Sequence, residues 1–185
     1  MVSKWFNYLG KTKPIYTIGH SNRSFNDFMN LLMRNNVNVL VDIRRYPHSK
    51  LAWFSRDNLS KLSSYGVKYY SFPELGALGI AKYVKPLQDI NCTSSLTYRS
   101  YITHILTSLN AKFRIKEIIN MVNNDLSICL MCCEKLPWRC HRRFLSDYFK
   151  AFRYDVIHII DFNRVIIHKG TRCYNYIKDK IPITH

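Results

Sequence analysis

Short apolar runs separated by segments of helical periodicity recur along this chain, and this alternation limits the fold more than any other feature. We predict strands at residues 15–18, 37–41, 67–72, 126–131, 156–160 and 165–168. Buried runs that alternate with helices are typical of a mostly parallel sheet covered on both faces. The sequence therefore predicts an α/β layered fold, Rossmann-like or flavodoxin-like, with residues 165–168 as an antiparallel edge strand near the C-terminus.

Helical segments lie between these strands. Ser24 and Asp27 match a capping-box type of helix start, and Gly66 suits the end of a short helix over residues 57–65. Further helices are predicted over residues 98–109, over residues 115–122 and after Pro137. Residues 76–95 contain glycine, proline and polar residues without a clear period, which predicts a long loop.

The length of 185 residues favours one domain over residues 1–185, with residues 1–14 and 170–185 at its periphery. No stretch reaches the roughly 18 continuous apolar residues of a membrane span, and the N-terminal residues lack a signal-peptide core. We therefore expect a cytoplasmic protein that does not contact a membrane.

The chain is strongly basic, with 28 lysines and arginines against 12 acidic residues and a formal charge of +16. Such an excess favours polyanionic partners, namely nucleic acid, nucleotides or an anionic membrane surface. The alternative is that it reflects a generally basic proteome. The 13 tyrosines and three tryptophans also suit base stacking. The residues themselves identify neither a cofactor nor an oligomeric state.

Residues 129–143 (CLMCCEKLPWRCHRR) combine thiols, an imidazole and several arginines at one predicted strand end. Cys132 and Glu134 are expected to follow the buried strand, and Cys140 is expected near the start of a helix entered at Pro137. Ligands bind at this edge of open α/β sheets, and helix-start N–H groups attract anions and lower the pKa of thiols.

Other predicted strand ends supply further ionisable groups to the same edge. The candidate catalytic residues are His20, Asp42, Glu74, Cys132, Glu134, Cys140 and His141. The candidate substrate-binding residues are Ser21, Asn22, Arg44, Arg45 and Arg142. Asp42 and Arg44 have a structural alternative, since residues two apart on an extended chain share a side and can form an ion pair.

The six cysteines show no disulfide-scaffold pattern, and a cytoplasmic chain is expected to keep them reduced. Cys129 and Cys132 resemble half a zinc site in spacing but point to opposite faces of a strand. Cys133 is expected to face the core. We assign no metal ligand from the sequence. A metal-assisted variant of the site would use Cys132, Cys140 and His141 with His20.

Four separated motifs in this chain resemble those of the DUF488 family, a domain of unknown function. They are residues 16–22 (YTIGHSN), residues 40–49 (LVDIRRYPHS), residues 74–76 (ELG) and the pattern Cys132-x-Glu134-x-x-Pro137-x-x-Cys140-His141-Arg142. One departure is Ala77, where the family often has a second glycine. The resemblance implies an α/β fold and one shared site, and it implies a loose association with nucleic-acid metabolism.

Two principal hypotheses follow. In the first, the chain is an enzyme acting on a phosphorylated or nucleic-acid-related substrate. Cys132 or Cys140 would be the nucleophile, His20 or His141 the proton shuttle, and Asp42 or Glu74 the orienting carboxylate. Sulfur transfer is one variant, because a strand-end cysteine after a Val-Asp-Ile-Arg strand loosely resembles rhodanese.

In the second hypothesis, the chain is a non-catalytic nucleic-acid-binding protein that uses its basic surface. A third reading is that the polar groups form a buried network that fixes the fold. We favour the enzyme, because so many ionisable groups at one sheet edge are typical of a site that perturbs pKa values.

Overall fold

A computed structural model describes residues 13–181 of the chain. The strands are β1 (Ile15–Gly19), β2 (Val39–Asp42), β3 (Lys68–Ser71), β4 (Ile128–Cys132), β5 (Val156–Asp161) and β6 (Arg164–Ile167). The helices are α1 (Phe25–Arg34), α2 (Arg56–Leu59), α3 (Leu96–Thr107), α4 (Leu109–Asn123), α5 (Arg142–Ala151) and α6 (Tyr174–Lys180). Residues 1–12 and 182–185, which were predicted to be peripheral, lie outside the described range.

The six strands form one sheet in the order β3-β2-β4-β1-β5-β6, parallel throughout except for the antiparallel β5–β6 pair. The α/β layered fold and its antiparallel edge strand are thus confirmed. The order differs from the 3-2-1-4-5-6 and 2-1-3-4-5 orders of the Rossmann and flavodoxin folds. In both of those orders the first two strands are neighbours, whereas here β4 lies between β2 and β1.

Each face of the sheet packs against a separate apolar layer. The side chains of β4 point alternately into these two layers. Ile128, Leu130 and Cys132 point into the layer shared with α3, α4, α5 and α6. Cys129 and Met131 point into the layer shared with α1 and α2. The prediction that Cys129 and Cys132 lie on opposite faces is confirmed.

Local signals explain several element boundaries. The Ser24 hydroxyl accepts a hydrogen bond from the Asp27 N–H at 3.1 Å and caps α1, as predicted. Gly66 adopts a φ of 77° and ends the turn of 3₁₀ helix after α2. Pro137 was predicted to open the following helix. It opens instead a 3₁₀ turn (Pro137–Arg139), and α5 begins at Arg142.

The C-terminal segment is not peripheral in its described part, contrary to the prediction for residues 170–185. Residues 174–180 form α6, and Cys173 and Ile177 are buried in the larger apolar layer. Cys173 also forms a disulfide with Cys92 of the loop over residues 76–95. The prediction that all six cysteines stay reduced is therefore wrong for this pair, whose 81-residue separation gives no local signature.

A buried chain of hydrogen bonds fixes this C-terminal segment to the sheet. Thr17 bonds to His158 Nδ1 at 2.7 Å, and His158 Nε2 bonds to His168 Nδ1 at 3.0 Å. His168 Nε2 then bonds to the Asp147 carboxylate at 2.9 Å, which also accepts the Thr171 N–H. All four imidazole nitrogens are satisfied, which is what a structural network requires.

No helix among residues 13–181 has both the length and the apolar character needed to cross a membrane.

Candidate functional site

The strands β2, β4 and β1 are neighbours, and their carboxyl ends meet at one edge of the sheet. The chain leaves β1 towards α1 on one face and leaves β4 towards α5 on the other. The chain also leaves β2 towards α2 on the first face, so the crevices on both sides of β4 are topological switch points, where ligands bind in open α/β sheets. This arrangement explains why residues far apart in sequence meet here.

A cleft with a volume of about 350 Å³ opens at this edge, lined by residues that follow β2 and β4. This volume is in the range of small-molecule sites. Six of the predicted site residues line it: Arg44, Arg45, Cys132, Glu134, Cys140 and His141. Cys133, Arg139, Tyr46 and Tyr98 also line it and were not among the predicted site residues.

Cys132, Cys140 and His141 form a compact buried cluster at the bottom of the cleft. His141 Nδ1 lies 3.8 Å from Cys132 Sγ and 3.7 Å from Cys140 Sγ. The His141 and Tyr101 rings pack in an edge-to-face arrangement, with the ring centroids 4.9 Å apart. The Tyr101 hydroxyl donates to the Leu75 carbonyl at 3.0 Å, so the ring that orients His141 is itself fixed.

The surroundings separate the pKa values of these two thiols. Hydrogen bonding with Cys133 and Cys140, together with burial, raises the pKa of Cys132. Burial alone would raise the pKa of Cys140 as well, but hydrogen bonds with Cys132 and His141 and the charge of Arg142 lower it. Within the cluster, Cys140 is therefore the more acidic of the two thiols.

Cys133 is exposed, so the prediction that it faces the core is wrong. The reason is that β4 ends at Cys132 and the chain turns, which frees the next side chain from the strand alternation. A hydrogen bond with Cys132 lowers the pKa of Cys133 to about 4 against the effect of the partial burial of its thiol, and the charge of Arg44 also lowers it. This thiol is the site residue that sequence reasoning missed most clearly.

Asp42 and Arg44 form a buried ion pair at the wall of the cleft, which Arg44 lines. The Arg44 Nε and Nη2 atoms donate to the two Asp42 oxygens at 2.9 and 2.6 Å, and Tyr69 donates to the same carboxylate at 2.9 Å. Burial opposes the charge of Arg44, but the hydrogen bond and charge of Asp42 raise its pKa overall. The structural alternative for this pair matches the observed contacts.

His20 joins the same network and has no free ring nitrogen. Arg44 Nη1 lies 3.2 Å from His20 Nε2, and His20 Nδ1 lies 2.9 Å from the Ser21 carbonyl. Because a guanidinium can only donate, Nε2 accepts and Nδ1 carries the proton. The ring also stacks on Phe54 with centroids 4.4 Å apart. His20 therefore supports Arg44 and does not line the cleft.

Arg142 holds the turn that carries the cysteines. Its side chain is fully buried, and its guanidinium donates to the carbonyls of Glu134 and Lys135. Gly19, at the end of β1, lies directly under this turn, and a Cβ there would come within 1.8 Å of the Glu134 carbonyl oxygen. The turn can only approach β1 this closely because residue 19 is glycine.

Besides His20, Asp42 and Arg142, three further predicted site residues do not line the cleft. Glu74 pairs with Arg114 of α4 at 2.9 Å. Ser21 lines a neighbouring cavity with Lys135, Asp161 and other residues, and Glu134 borders both cavities. Asn22 is exposed and lines neither. Glu74 was expected at the cleft because it follows a predicted strand. Its carboxylate pairs instead with Arg114, which is 40 residues away, and the sequence contains no local signal for this pairing.

Comparison with known proteins gives a family but no characterised relative. A family model described as Domain of unknown function DUF488 matches residues 24–149, which is more than half of the chain. No curated protein and no solved structure matches. The matched region contains β2, β3 and β4 and the whole Cys132–Cys140–His141 cluster. The chain belongs to the DUF488 family.

Proposed function

We propose that this protein is an enzyme and that the cleft is its active site for a phosphorylated or nucleic-acid-related substrate. The observation that carries the proposal is the buried Cys132–Cys140–His141 cluster, which opens into a cleft bordered by arginines. Buried nucleophilic groups with mutually perturbed pKa values in a concave site favour catalysis over simple binding.

The arginines at the cleft support an anionic substrate. Arg45 lies over the Tyr83 ring, 4.9 Å from its centroid, and forms no ion pair with a described residue. Arg139 is exposed and lines the same cleft. Guanidinium groups that are not neutralised by carboxylates are available for phosphate oxygens, which they bind in bidentate geometry.

Aromatic side chains near the cleft support a substrate that contains a nucleobase. Tyr46, which lines the cleft, and Tyr83, which contacts Arg45, are 52% and 68% exposed. Exposed aromatic rings beside arginines are the usual platform for unpaired bases, and each stacked base contributes about 1–3 kcal/mol. The overall charge of +16 would concentrate such polyanions near the protein.

The first test is ligand binding. Fluorescently labelled single-stranded DNA and RNA oligonucleotides, with nucleotides as competitors, are titrated against wild-type protein and the Arg45→Gln and Arg139→Gln variants. The matched control is Arg34→Gln, which removes the same charge at the C-terminal end of α1, at the opposite edge of the sheet. We expect weaker binding and a smaller salt dependence, by about one counterion, for the cleft variants only.

The second test separates an enzyme from a non-catalytic binding protein. Nucleotides, oligonucleotides and phosphomonoesters that bind are incubated with wild-type protein and with His141→Gln, and products are identified by mass spectrometry. We expect product from the wild type and none from the variant, with both folded by circular dichroism. Binding that His141→Gln leaves intact, with no product from either protein, would favour the non-catalytic alternative.

A further inference from the structure

We infer that Cys132, Cys140 and His141 bind a divalent transition-metal ion, for which Zn²⁺ is the best fit. The two sulfurs and one imidazole nitrogen all lie within 4.8 Å of one another, and all three residues are buried. Thiolate and imidazole are the ligands that zinc prefers in proteins, whereas magnesium and calcium require oxygen donors.

The two sulfur–nitrogen distances are close to those of a tetrahedral site. With Zn–S about 2.3 Å and Zn–N about 2.0 Å, adjacent sulfur and nitrogen ligands are separated by about 3.5 Å. His141 Nδ1 lies 3.8 Å from Cys132 Sγ and 3.7 Å from Cys140 Sγ. An ion at the centre therefore requires only small inward movements of side chains that are already in place.

Charge balance also favours a zinc site. Each cysteine thiol loses its proton to solvent when it binds the ion, and histidine binds through its neutral imidazole. Two thiolates then cancel the two positive charges of Zn²⁺, so the occupied cluster has no net charge. A neutral site suits the buried position of these three residues, where an uncompensated charge would be costly.

The three ligands leave the fourth tetrahedral position open towards the cleft, because all three line it. Closed sets of four ligands are typical of structural zinc, whereas three ligands with an open position are typical of catalytic zinc. Such an ion would polarise a substrate oxygen or activate a water. This deepens the proposed function, and only the catalytic role of the ion rests on it.

The geometry also limits the ligand set. The sequence suggested His20 as a further ligand, but both of its ring nitrogens are engaged with Arg44 and Ser21. Cys133 is exposed and lies outside the cluster of donor atoms. These two residues therefore provide matched controls for metal binding, one imidazole and one thiol that lie near the three donor residues but are not among them.

The test is metal binding by the full chain without substrate. Protein purified without a histidine tag and kept reduced with a non-chelating phosphine is assayed for zinc by mass spectrometry, before and after chelation and reloading. Loading with Co²⁺ gives the thiolate-to-cobalt absorption and ligand-field bands of a tetrahedral site. We expect stoichiometric zinc and this spectrum from the wild type, Cys133→Ser and His20→Gln.

We expect Cys132→Ser, Cys140→Ser and His141→Gln to weaken zinc binding by more than about a hundredfold. Loss of a residue that only supports a ligand weakens metal binding by up to about a hundredfold, so a larger loss identifies a direct ligand. If a cysteine variant fails to fold, His141→Gln decides, because its ring is replaced without removing a thiol. No stoichiometric binding by the reduced wild type, or unchanged affinity in His141→Gln, overturns the site. Zinc binding without turnover contradicts only the proposed function, and turnover by metal-free protein contradicts only the metal site.

Discussion

Asp42 and Arg44 are joined by two parallel hydrogen bonds of 2.9 and 2.6 Å, and both side chains are almost completely shielded from solvent. A buried pair of this kind contributes little net stability when intact, but removing one partner leaves the other charge buried and unpaired. The pair therefore matters less as a source of stability than as a constraint on the strand end beneath the cleft.

Asp42→Asn is expected to lower the free energy of unfolding by about 3–5 kcal/mol, because Arg44 then remains as an unpaired buried charge. Urea denaturation measures the change. The matched control is Asp161→Asn, which breaks an exposed pair with Lys135 and should cost less than about 1 kcal/mol. In the double variant Asp42→Asn with Arg44→Met, part of the loss should be recovered. If the stability loss of the double variant equals the sum of the losses of the two single variants, the unpaired-charge explanation is wrong.

The disulfide between Cys92 and Cys173 joins residues 81 positions apart. Restricting so long a loop in the unfolded chain stabilises a protein by about 2–4 kcal/mol. We expect a reductant to lower the stability of the wild type by this amount and to leave Cys92→Ser unchanged, measured by urea denaturation with and without reductant. A wild type that is insensitive to reductant would show that the bond does not form or does not stabilise the fold.

His158 makes stability dependent on pH. Burial lowers its pKa from 6.5 to about 3, assisted by His168 and Arg142. Below about pH 6.5 the unfolded chain binds a proton that the folded chain excludes, so stability is lost as pH falls from there towards 3. One such group lowers the free energy of unfolding by up to about 2 kcal/mol between about pH 6.5 and pH 5.

His158→Gln should therefore flatten the dependence of stability on pH, whatever its effect at neutral pH. Urea denaturation at about pH 7.5 and pH 5 gives the comparison. The exposed His48 provides the control, since His48→Gln removes an imidazole outside the buried network. An equal pH dependence in His158→Gln and the wild type would exclude His158 as the source.

The accessibility of the four free thiols should determine their order of alkylation. Cys133 is exposed, whereas Cys129, Cys132 and Cys140 are buried. In native protein treated with iodoacetamide and mapped by peptide mass, we expect Cys133 to react first. Cys129, on the opposite face of β4, should react only on unfolding. Faster reaction of Cys132 or Cys140 than of Cys133 would contradict the position of the turn after β4.

The parts of the fold that follow from local chemistry could be predicted from the sequence. The buried apolar runs gave the strands, and the Ser24 cap and the glycine at residue 66 gave two helix boundaries, because each depends on a few adjacent residues. The position of β4 between β2 and β1 could not be predicted. It depends on which face each connecting helix covers, and this is decided by packing across the whole sheet.

The candidate site divides in the same way. The proximity of Cys132, Cys140 and His141 could be predicted, because a strand end and a helix start lie close together in sequence there. Glu74 and Cys133 were misjudged for two physical reasons. Arg114 attracts Glu74 away from the sheet edge, and the orientation of Cys133 depends on the residue at which β4 stops.

The position of β1 between β4 and β5 determines what a minimal fragment of this protein must contain. The family match begins at residue 24, after β1. A fragment cut to that boundary would leave one side of β4 with unpaired backbone groups directly beside the cysteines. Open edges of this kind pair with other chains and aggregate. Fragments made for biochemistry should therefore begin before Ile15 and extend past Ile181, so that insolubility of a shorter piece is not mistaken for instability of the fold.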